Sequence, residues 1–141
     1  MLVTTPQNYA RTRARRFTVQ GMKTRHRLKA ERMAPGDRLC WYLVRIGGFV
    51  ATATITSTAY EDRTPVWVST GAPDPYPWRV RIARDLVRGP EAAVPAVTLA
   101  PRLAFVRRWP AAHWRLAFQG NVHEIGARDF GVIERALARQ R

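Results

Sequence analysis

The clearest pattern of hydrophobic and polar positions lies in two apolar segments that follow each other in the first half of the chain. Residues 38–44 and 49–57 are rich in β-branched and aromatic side chains, and the short segment 45–48, which contains two glycines, separates them. From residue 50 to residue 57, one set of alternate positions holds Val and Thr, and the other holds mainly Ala and Ile. A period of two is typical of a strand. The two segments therefore predict a pair of β-strands.

Shorter apolar segments predict further strands at residues 2–5, 66–68 and 80–83. Helical patterns lie at residues 7–16, 23–33, 102–106 and 127–138. Residues 17–22 predict a loop, because Gly21 interrupts them and no period dominates. Many short strands broken by turns, with helices at the start and the end, predict an α+β fold in which helices flank a small barrel. No internal repeat, low-complexity tract or linker divides the sequence, so residues 1–141 are expected to form one domain.

The charge of the chain indicates a polyanionic partner. Its 141 residues include 24 Lys and Arg against 10 Asp and Glu, which gives a formal net charge of +14. A positive field of this strength attracts polyanions and accelerates association with them. Nucleic acid is therefore the expected partner.

Cysteine usage and hydropathy predict a cytoplasmic protein that has no membrane partner. Cys40 is the sole cysteine and lies in an apolar run, so we expect a small buried side chain and neither an internal disulfide nor a zinc site. No apolar stretch reaches the ~18 residues that span a bilayer, and no signal-peptide pattern opens the chain. The oligomeric state is left open by the sequence.

The motifs of the common catalytic sites are not found in the sequence. It contains no nucleophile elbow, no phosphate-binding loop and no dinucleotide fingerprint. The histidines, His26, His113 and His123, do not have the spacing of metal ligands, and the acids are too scattered to nominate a carboxylate pair. We therefore expect no catalytic residues, no metal and no cofactor, and a chain that is not an enzyme.

Basic residues are mixed with aromatic ones, which is typical of nucleic-acid binding. Trp109 and Trp114 lie close together in the sequence, and Trp78 precedes Arg79. Aromatic faces stack on bases for about 1–3 kcal/mol each, while arginines hold phosphates. Tryptophans also fill barrel cores, so each of them has a structural alternative. The predicted first helix adds a dense basic face, with Arg11, Arg13, Arg15 and Arg16.

A set of short motifs runs in order along nearly the whole chain. The motifs are Asn8-Tyr9, Phe17-Thr18-Val19-Gln20-Gly21-Met22-Lys23, Arg32-Met33-Ala34-Pro35-Gly36-Asp37, Tyr42, Tyr76-Pro77-Trp78-Arg79 and Trp114-Arg115-Leu116-Ala117-Phe118-Gln119-Gly120. Together they resemble an EVE domain, a family of the PUA-like superfamily that is related to the YTH and ASCH domains. The resemblance implies a PUA-like barrel of about five to six strands flanked by helices. It also implies a pocket between barrel and helices in which an aromatic cage holds a modified base.

The resemblance further implies which residues form that pocket. The expected pocket residues are Asn8, Phe17, Gln20, Tyr42, Trp78, Trp114, Phe118, Gln119 and Gly120. Phe17 would stack on the base, and the amide of Gln20 would both donate and accept hydrogen bonds. The residues expected to contact the phosphate backbone are Arg11, Arg13, Arg15, Arg16, Lys23, Arg25 and Arg79. The implied function is recognition of a modified base in DNA or RNA.

Two other functions stay open at this stage. An ASCH-like enzyme that acts on nucleic acid or nucleotides would need an acid or a histidine in the pocket, and the nearest candidates by sequence are His123, Glu124 and Asp129. A general RNA-binding scaffold would bind broadly and ignore base modification. The sequence does not distinguish DNA from RNA, and it does not identify the base or its modification.

Overall fold

One mixed β-sheet connects most of the chain. The computed structural model describes residues 1–140. Within them the strands are β1 (Leu2–Thr4), β2 (Val19–Met22), β3 (Arg38–Leu43), β4 (Gly48–Ile55), β5 (Tyr60–Glu61), β6 (Trp78–Val87) and β7 (Val94–Pro95). The order across the sheet is β1-β3-β4-β6-β2, with β5 beside β6 and β7 beside β4. β1 runs parallel to β3, and the other pairs are antiparallel. The sheet forms a half-barrel flanked by helices, which confirms the predicted α+β class.

Asn121 links the two outer strands of this half-barrel, β1 and β2. Its backbone carbonyl accepts a hydrogen bond from the Val3 N–H (2.8 Å), and its Nδ2 donates to the Val3 carbonyl (3.1 Å). Its Oδ1 accepts from the N–H of Lys23, the residue after β2 (3.3 Å). Buried backbone groups need partners, and the edges of an open sheet leave them unpaired. One asparagine therefore closes the gap between the two edges.

Short helices surround the sheet. They are α1 (Pro6–Ala14), α2 (Arg27–Glu31), α3 (Ala96–Leu99), α4 (Ala104–Arg107) and α5 (Ala127–Arg139), with 3-10 segments at Thr24–His26, Pro90–Ala92, Ala100–Arg102 and Ala111–Phe118. α1 begins with a proline after Thr5, whose side-chain oxygen accepts from the Asn8 N–H (3.1 Å). The apolar face of α5 is buried through Val132, Ile133, Ala136 and Leu137. No helix of the described residues is long and apolar enough to cross a membrane.

Strand β3 separates two hydrophobic clusters. Cys40 and Tyr42 belong to one cluster, together with the apolar face of α5. Leu39, Trp41 and Leu43 belong to the other, together with the inner side of α1. Successive side chains of a strand point to opposite faces, so a strand covered on both faces is apolar throughout. This explains the continuous apolar run in the first of the two sequence segments.

Three of the local predictions were wrong. The end of the predicted loop at 17–22 is strand β2, which pairs with β6. Gly21 serves there as a contact point, because a Cβ at this position would overlap the Trp67 ring and lie 2.8 Å from the Tyr76 carbonyl oxygen. Residues 66–68 do not form a strand. Val66 and Trp67 are instead buried with Tyr76 in a small separate cluster. The single helix predicted at 23–33 is a 3-10 turn followed by α2.

Candidate functional site

A cavity of about 340 Å³ lies at the start of α1, between β1, residues 68–76 and the chain that follows the last 3-10 segment. We call it the Tyr76 cavity. Its lining consists of Val3, Thr4, Thr5, Asn8, Lys23, Arg25, Val44, Val68, Thr70, Tyr76, Phe118, Gln119, Gly120 and Asn121. Pockets for small ligands occupy ~300–1,000 Å³, so this volume suits a compact ligand.

Phe118 belongs to the lining of the Tyr76 cavity, although only 5% of its surface is exposed, and its ring is packed against its neighbours. Its ring stacks on Tyr42, with the centroids 4.1 Å apart and the planes 17° from parallel. Phe105 and Trp114 meet it edge-on, at centroid distances of 5.6 and 6.1 Å. Such pairs are favourable beyond the area that they bury. The cavity is therefore bordered by a ring that the core holds rigidly.

Tyr76 is the second aromatic residue of the lining, and 5% of its surface is exposed. Its backbone has φ = 53°, in the left-handed region that is costly for a bulky side chain. Its N–H donates to the Asp74 carboxylate (2.9 Å), and its carbonyl accepts from Arg79 Nε (3.1 Å). These contacts hold Tyr76 in a conformation that the chain would rarely adopt alone. Burial raises the pKa of Tyr76, so its phenol stays protonated and can donate to a ligand.

Asn8 fixes the loop that carries Tyr76. Its Nδ2 donates to the Val68 carbonyl (2.8 Å), and its Oδ1 accepts from the Val68 N–H (2.9 Å). Nδ2 also lies 3.4 Å from the Tyr76 hydroxyl oxygen. The side-chain amide thus pairs with the loop backbone as a neighbouring strand would. Asn8 lines the cavity, but its polar atoms mainly position the loop.

The rim at residues 119–121 is shaped by one glycine. Gly120 has φ = +84°, a conformation that favours glycine over every other residue. This turn brings the following residue, Asn121, onto β1. Gln119 stays exposed at the cavity, where its amide can both donate and accept hydrogen bonds.

The charged side chains that line the Tyr76 cavity are basic. Lys23 and Arg25 belong to the lining, and none of the described lining residues is acidic. Lys23 Nζ lies 5.8 Å from the centroid of the Tyr76 ring. Asp74, on the same loop, is occupied by the backbone N–H groups of Thr24 (3.1 Å) and Tyr76 (2.9 Å). An anionic group on a ligand in this cavity would therefore be attracted by both cations.

Two of the predicted pocket residues, Phe17 and Gln20, lie in the interior and not at this cavity. Phe17 is 2% exposed and meets Tyr9 and Trp41 edge-on. Gln20 Oε1 accepts from Trp41 Nε1 (2.9 Å) and from the Thr12 hydroxyl (3.0 Å), and its Nε2 donates to a backbone carbonyl (2.7 Å). We call Thr12, Phe17, Gln20 and Trp41 the Gln20 network. Phe17 and Gln20 are therefore packed in the core, and neither lines the Tyr76 cavity where base contacts were expected.

The other predicted pocket residues divide into a lining group and a supporting group. Asn8, Phe118, Gln119 and Gly120 line the Tyr76 cavity. Tyr42 and Trp114 are outside the lining and support Phe118 from the core. Trp78 lies elsewhere, with the Arg27 guanidinium 4.8 Å from its ring centroid. Contact of any of these residues with a base stays a prediction.

Arg79 is buried and does not face solvent. Only 3% of its surface is exposed, and its Nη2 donates to the carbonyls of Thr64 and Pro75 (3.2 Å for the latter). Its Nη1 lies 3.5 Å from the Asp62 carboxylate. Together with the bond to the Tyr76 carbonyl, these contacts use the guanidinium to hold the loop. Arg79 is therefore not accessible at the surface, where the phosphate contact was expected.

The other six residues predicted to contact phosphates are accessible at the surface or at the cavity. Four arginines are exposed on α1 or just after it, namely Arg11, Arg13, Arg15 and Arg16. Arg11 also donates to the Val66 carbonyl (3.1 Å), which ties α1 to the loop of the cavity. Lys23 and Arg25 line the cavity itself. Phosphate contacts of these six residues stay predictions.

A second cavity, of about 400 Å³, contains two of the residues considered for an enzyme. His123 and Glu124 line it. Glu124 forms an exposed ion pair with Arg32 (2.9 Å), and burial lowers the pKa of His123. Asp129 is buried instead, and its carboxylate accepts from the first two backbone N–H groups of α4 (2.9 and 3.0 Å). The three candidates are therefore not gathered into one site, and the Tyr76 cavity contains none of them.

Tyr76 and Asn121 are among the cavity residues that were not predicted as pocket residues. Tyr76 belongs to the motif Tyr76-Pro77-Trp78-Arg79 and stands between two prolines, which restrict the backbone on both sides of it. Asn121 lies in an irregular segment, and its role depends on two strands that are far apart in the sequence. No local pattern identifies it.

Comparisons with known proteins show the fold of the chain. No family model and no curated protein matches it. A crystal structure of a protein from Pseudomonas putida is similar, with a TM-score of 0.60 and 18% identity, and the match covers 96% of this chain and 97% of that one. An NMR structure of a protein from Rhodopseudomonas palustris gives a TM-score of 0.53 and 18% identity, over 98% and 91% of the two chains.

A further similar structure is that of the YTH domain-containing protein mmi1 in a complex with RNA. Its TM-score is 0.60 at 10% identity, and the match covers 95% of this chain and 76% of that one. Identities this low show a shared fold alone. The chain therefore shares its fold with these structures, and its membership of the EVE family stays a prediction.

Proposed function

We propose that this chain is a non-catalytic module that binds nucleic acid by taking one base, preferably a modified one, into the Tyr76 cavity. The observation that carries the proposal is the lining, which includes the aromatic residues Tyr76 and Phe118, basic side chains and no acid. An aromatic face binds the face of a base, and cations bind the phosphates next to it. The exposed amide of Gln119 adds a group that can pair with the edge of a base.

Charge and fold support the same proposal. A formal net charge of +14 favours a polyanion over a neutral small molecule. The mmi1 protein, which has the same fold, is in a complex with RNA, and this favours RNA as the first nucleic acid to test. The resemblance of the sequence motifs to EVE domains favours a modified base.

The chemistry of the lining favours binding over catalysis. The described lining residues include no His, Cys, Asp or Glu, the side chains that most often act as nucleophiles and general bases. Taking a base out of a stack costs a few kcal/mol, and less where the base is modified or unpaired. Contact with two aromatic rings offsets part of that cost. Selectivity would come from the fit of the added chemical group to the cavity walls.

Binding to a panel of short single-stranded RNA and DNA oligonucleotides tests the proposal. Each oligonucleotide carries a different central base, unmodified or modified, and the reference carries an abasic central nucleotide with the same phosphates. We expect at least one base to bind more tightly than the reference by about 1–3 kcal/mol, which is about 5- to 150-fold. We also expect every dissociation constant to rise steeply with salt.

The abasic reference separates the alternatives. If all oligonucleotides bind as weakly as the abasic one, the chain is a general scaffold and base recognition is wrong. If none binds even at low salt, nucleic acid is the wrong partner. Liquid chromatography of the recovered oligonucleotides tests the enzyme alternative, because a non-catalytic module leaves every base unchanged.

A further inference from the structure

The turn between β2 and α2 carries a concentration of basic side chains. We call Lys23, Arg25 and His26 of this turn, together with Lys29 of α2, the basic turn. Lys23 and Arg25 line the Tyr76 cavity, whereas Lys29 lines the second cavity. The basic turn therefore contributes residues to the linings of both cavities.

The bonds within the basic turn leave donors free. Arg25 Nε donates to His26 Nε2 (3.2 Å), so His26 is held as the neutral imidazole. Lys29 Nζ donates to the Val122 carbonyl (2.9 Å). A guanidinium has five N–H donors and an ammonium has three, so these bonds use only one donor each. Arg25 and Lys29 can therefore both donate to an additional acceptor.

The acids around the basic turn have hydrogen-bond or ion-pair partners other than its basic side chains. On α2, Glu31 pairs with Arg27 (2.8 Å). On the loop of the Tyr76 cavity, Asp74 accepts from the backbone N–H of Thr24, which lies within the basic turn, and from that of Tyr76. On the segment after Asn121, Glu124 pairs with Arg32, while His123 adds another basic group. Within the described residues, no carboxylate forms an ion pair with a member of the basic turn.

We propose that the basic turn is a subsite for the phosphodiester group next to the base in the Tyr76 cavity, and that His26 takes up a proton when this group binds. The inference rests on the proposed function and extends it in two ways: it places the phosphodiester group, and it predicts that binding is coupled to protonation of His26. A phosphate oxygen is an acceptor that can replace the Arg25–His26 bond, because protonated His26 and Arg25 would both donate to it.

The charges that face His26 give the sign of the effect. Burial, followed by the positive charges of its neighbours, lowers the pKa of His26 to about 4. These neighbours are Lys29, Arg25, His123 and Lys23. A bound phosphate places negative charge in the same position and raises the pKa of His26. A group with a higher pKa in the complex takes up a proton on binding, so the affinity increases as the pH falls toward 5.

Two probes test this subsite, inorganic phosphate and a short single-stranded RNA of mixed sequence, both at constant ionic strength. NMR of the His26 imidazole follows the phosphate titration. We expect phosphate to shift the His26 signals and to raise the pKa of this residue. For the RNA we expect the dissociation constant to fall about two- to tenfold between about pH 7.5 and about pH 5.5, because one unit of pKa change on binding corresponds to tenfold in affinity.

Variants identify the residue responsible. His26→Gln keeps an acceptor for Arg25 Nε, and we expect it to remove the pH dependence while the fold is retained. His26→Lys carries its charge at all of these pH values, so it should bind RNA at neutral pH at least as tightly as the native chain does at low pH. His113→Gln is the matched control, because His113 is exposed and belongs to neither cavity lining. It should keep the native pH profile.

The outcomes separate this subsite from the proposed function. RNA binding that is independent of pH, with His26 signals unmoved by phosphate, overturns the subsite and leaves base recognition standing. A pH dependence that persists in His26→Gln also overturns it. If phosphate moves the His26 signals but no oligonucleotide binds, the proposed function is wrong and the assignment to a phosphodiester is wrong with it.

Discussion

In the Gln20 network, the amide of Gln20 is hydrogen-bonded to neighbouring side chains and backbone. In the Tyr76 cavity, an amide and aromatic side chains line a space of about 340 Å³ instead. Gln20 uses its oxygen for Trp41 and Thr12 and its nitrogen for a backbone carbonyl. Gln119 has the same amide but is exposed at the rim. The two regions differ in how completely their polar atoms are partnered.

This difference determines which region can bind. A buried amide that gave up its partners for a ligand would leave them unsatisfied, at about 1–3 kcal/mol for each group. The Gln20 network is nevertheless connected to the cavity. Trp67 Nε1 donates to the Thr12 hydroxyl (2.9 Å), and the Trp67 ring lies 6.2 Å from that of Tyr76. The Gln20 network therefore supports the Tyr76 cavity through Trp67.

The sharpest way to break this comparison is the substitution Phe17→Ala. Phe17 is 2% exposed between Tyr9 and Trp41, so its removal should lower the free energy of unfolding by about 3–5 kcal/mol. Urea unfolding followed by tryptophan fluorescence measures the loss. The affinity of the folded fraction for an oligonucleotide should not change, because Phe17 does not line the Tyr76 cavity.

The matched control for this substitution is Trp109→Ala, which removes a larger ring from the surface, where 40% of it is exposed. Its effect on unfolding should be much smaller. The opposite result for Phe17→Ala, unchanged stability with lost binding, would restore Phe17 to the binding site and invalidate the distinction between the two regions.

The fold was predictable where the hydrophobic pattern of a strand is visible within its own sequence. β3 and β4 alternate or run apolar throughout, and both strands lie within a residue or two of the predicted bounds. β2 was not predictable, because its Gly21 is explained by a contact with Trp67, distant in the sequence. Local period and propensity do not contain that contact. The link that Asn121 makes between β1 and β2 was not predictable for the same reason.

A second substitution, Tyr76→Leu, sharpens the comparison from the cavity side. Leucine keeps apolar contact with Trp67 but removes the aromatic face and the hydroxyl. We expect oligonucleotide affinity to fall by about 1–3 kcal/mol, the usual contribution of one base–aromatic stack. Fluorescence anisotropy with the best oligonucleotide of the panel measures this change.

Tyr60→Leu is the control for the substitution of Tyr76. Tyr60 is a half-buried tyrosine on β5 that faces Arg81 and does not belong to the cavity lining. Its substitution should leave affinity unchanged. Equal losses in both variants would mean that Tyr76 acts on the fold and not on the ligand.

The site was predictable only in part, since a motif identifies a residue type but not its partners. Phe118, Gln119 and Gly120 line the cavity, and their contact with a base stays a prediction. Gln20 belongs to an equally strong motif and is buried, because Trp41 and Thr12 use its oxygen. Which of two similar amides is satisfied inside the protein depends on tertiary contacts, and the sequence does not show them.

The smallest expected effect concerns Lys23, because the lining of the Tyr76 cavity carries this positive charge whereas the Gln20 network carries none. In Lys23→Gln, the plot of log affinity against log salt should become shallower by about 0.7–1, the contribution of one phosphate contact. Preference among bases should be unchanged, because a phosphate contact carries no sequence information. Arg135→Gln, at an exposed position on α5 outside the cavity lining, is the control and should keep the native slope. If the two variants give the same slope, the charge near Tyr76 acts only as part of the general field, and the cavity has no phosphate contact of its own at Lys23.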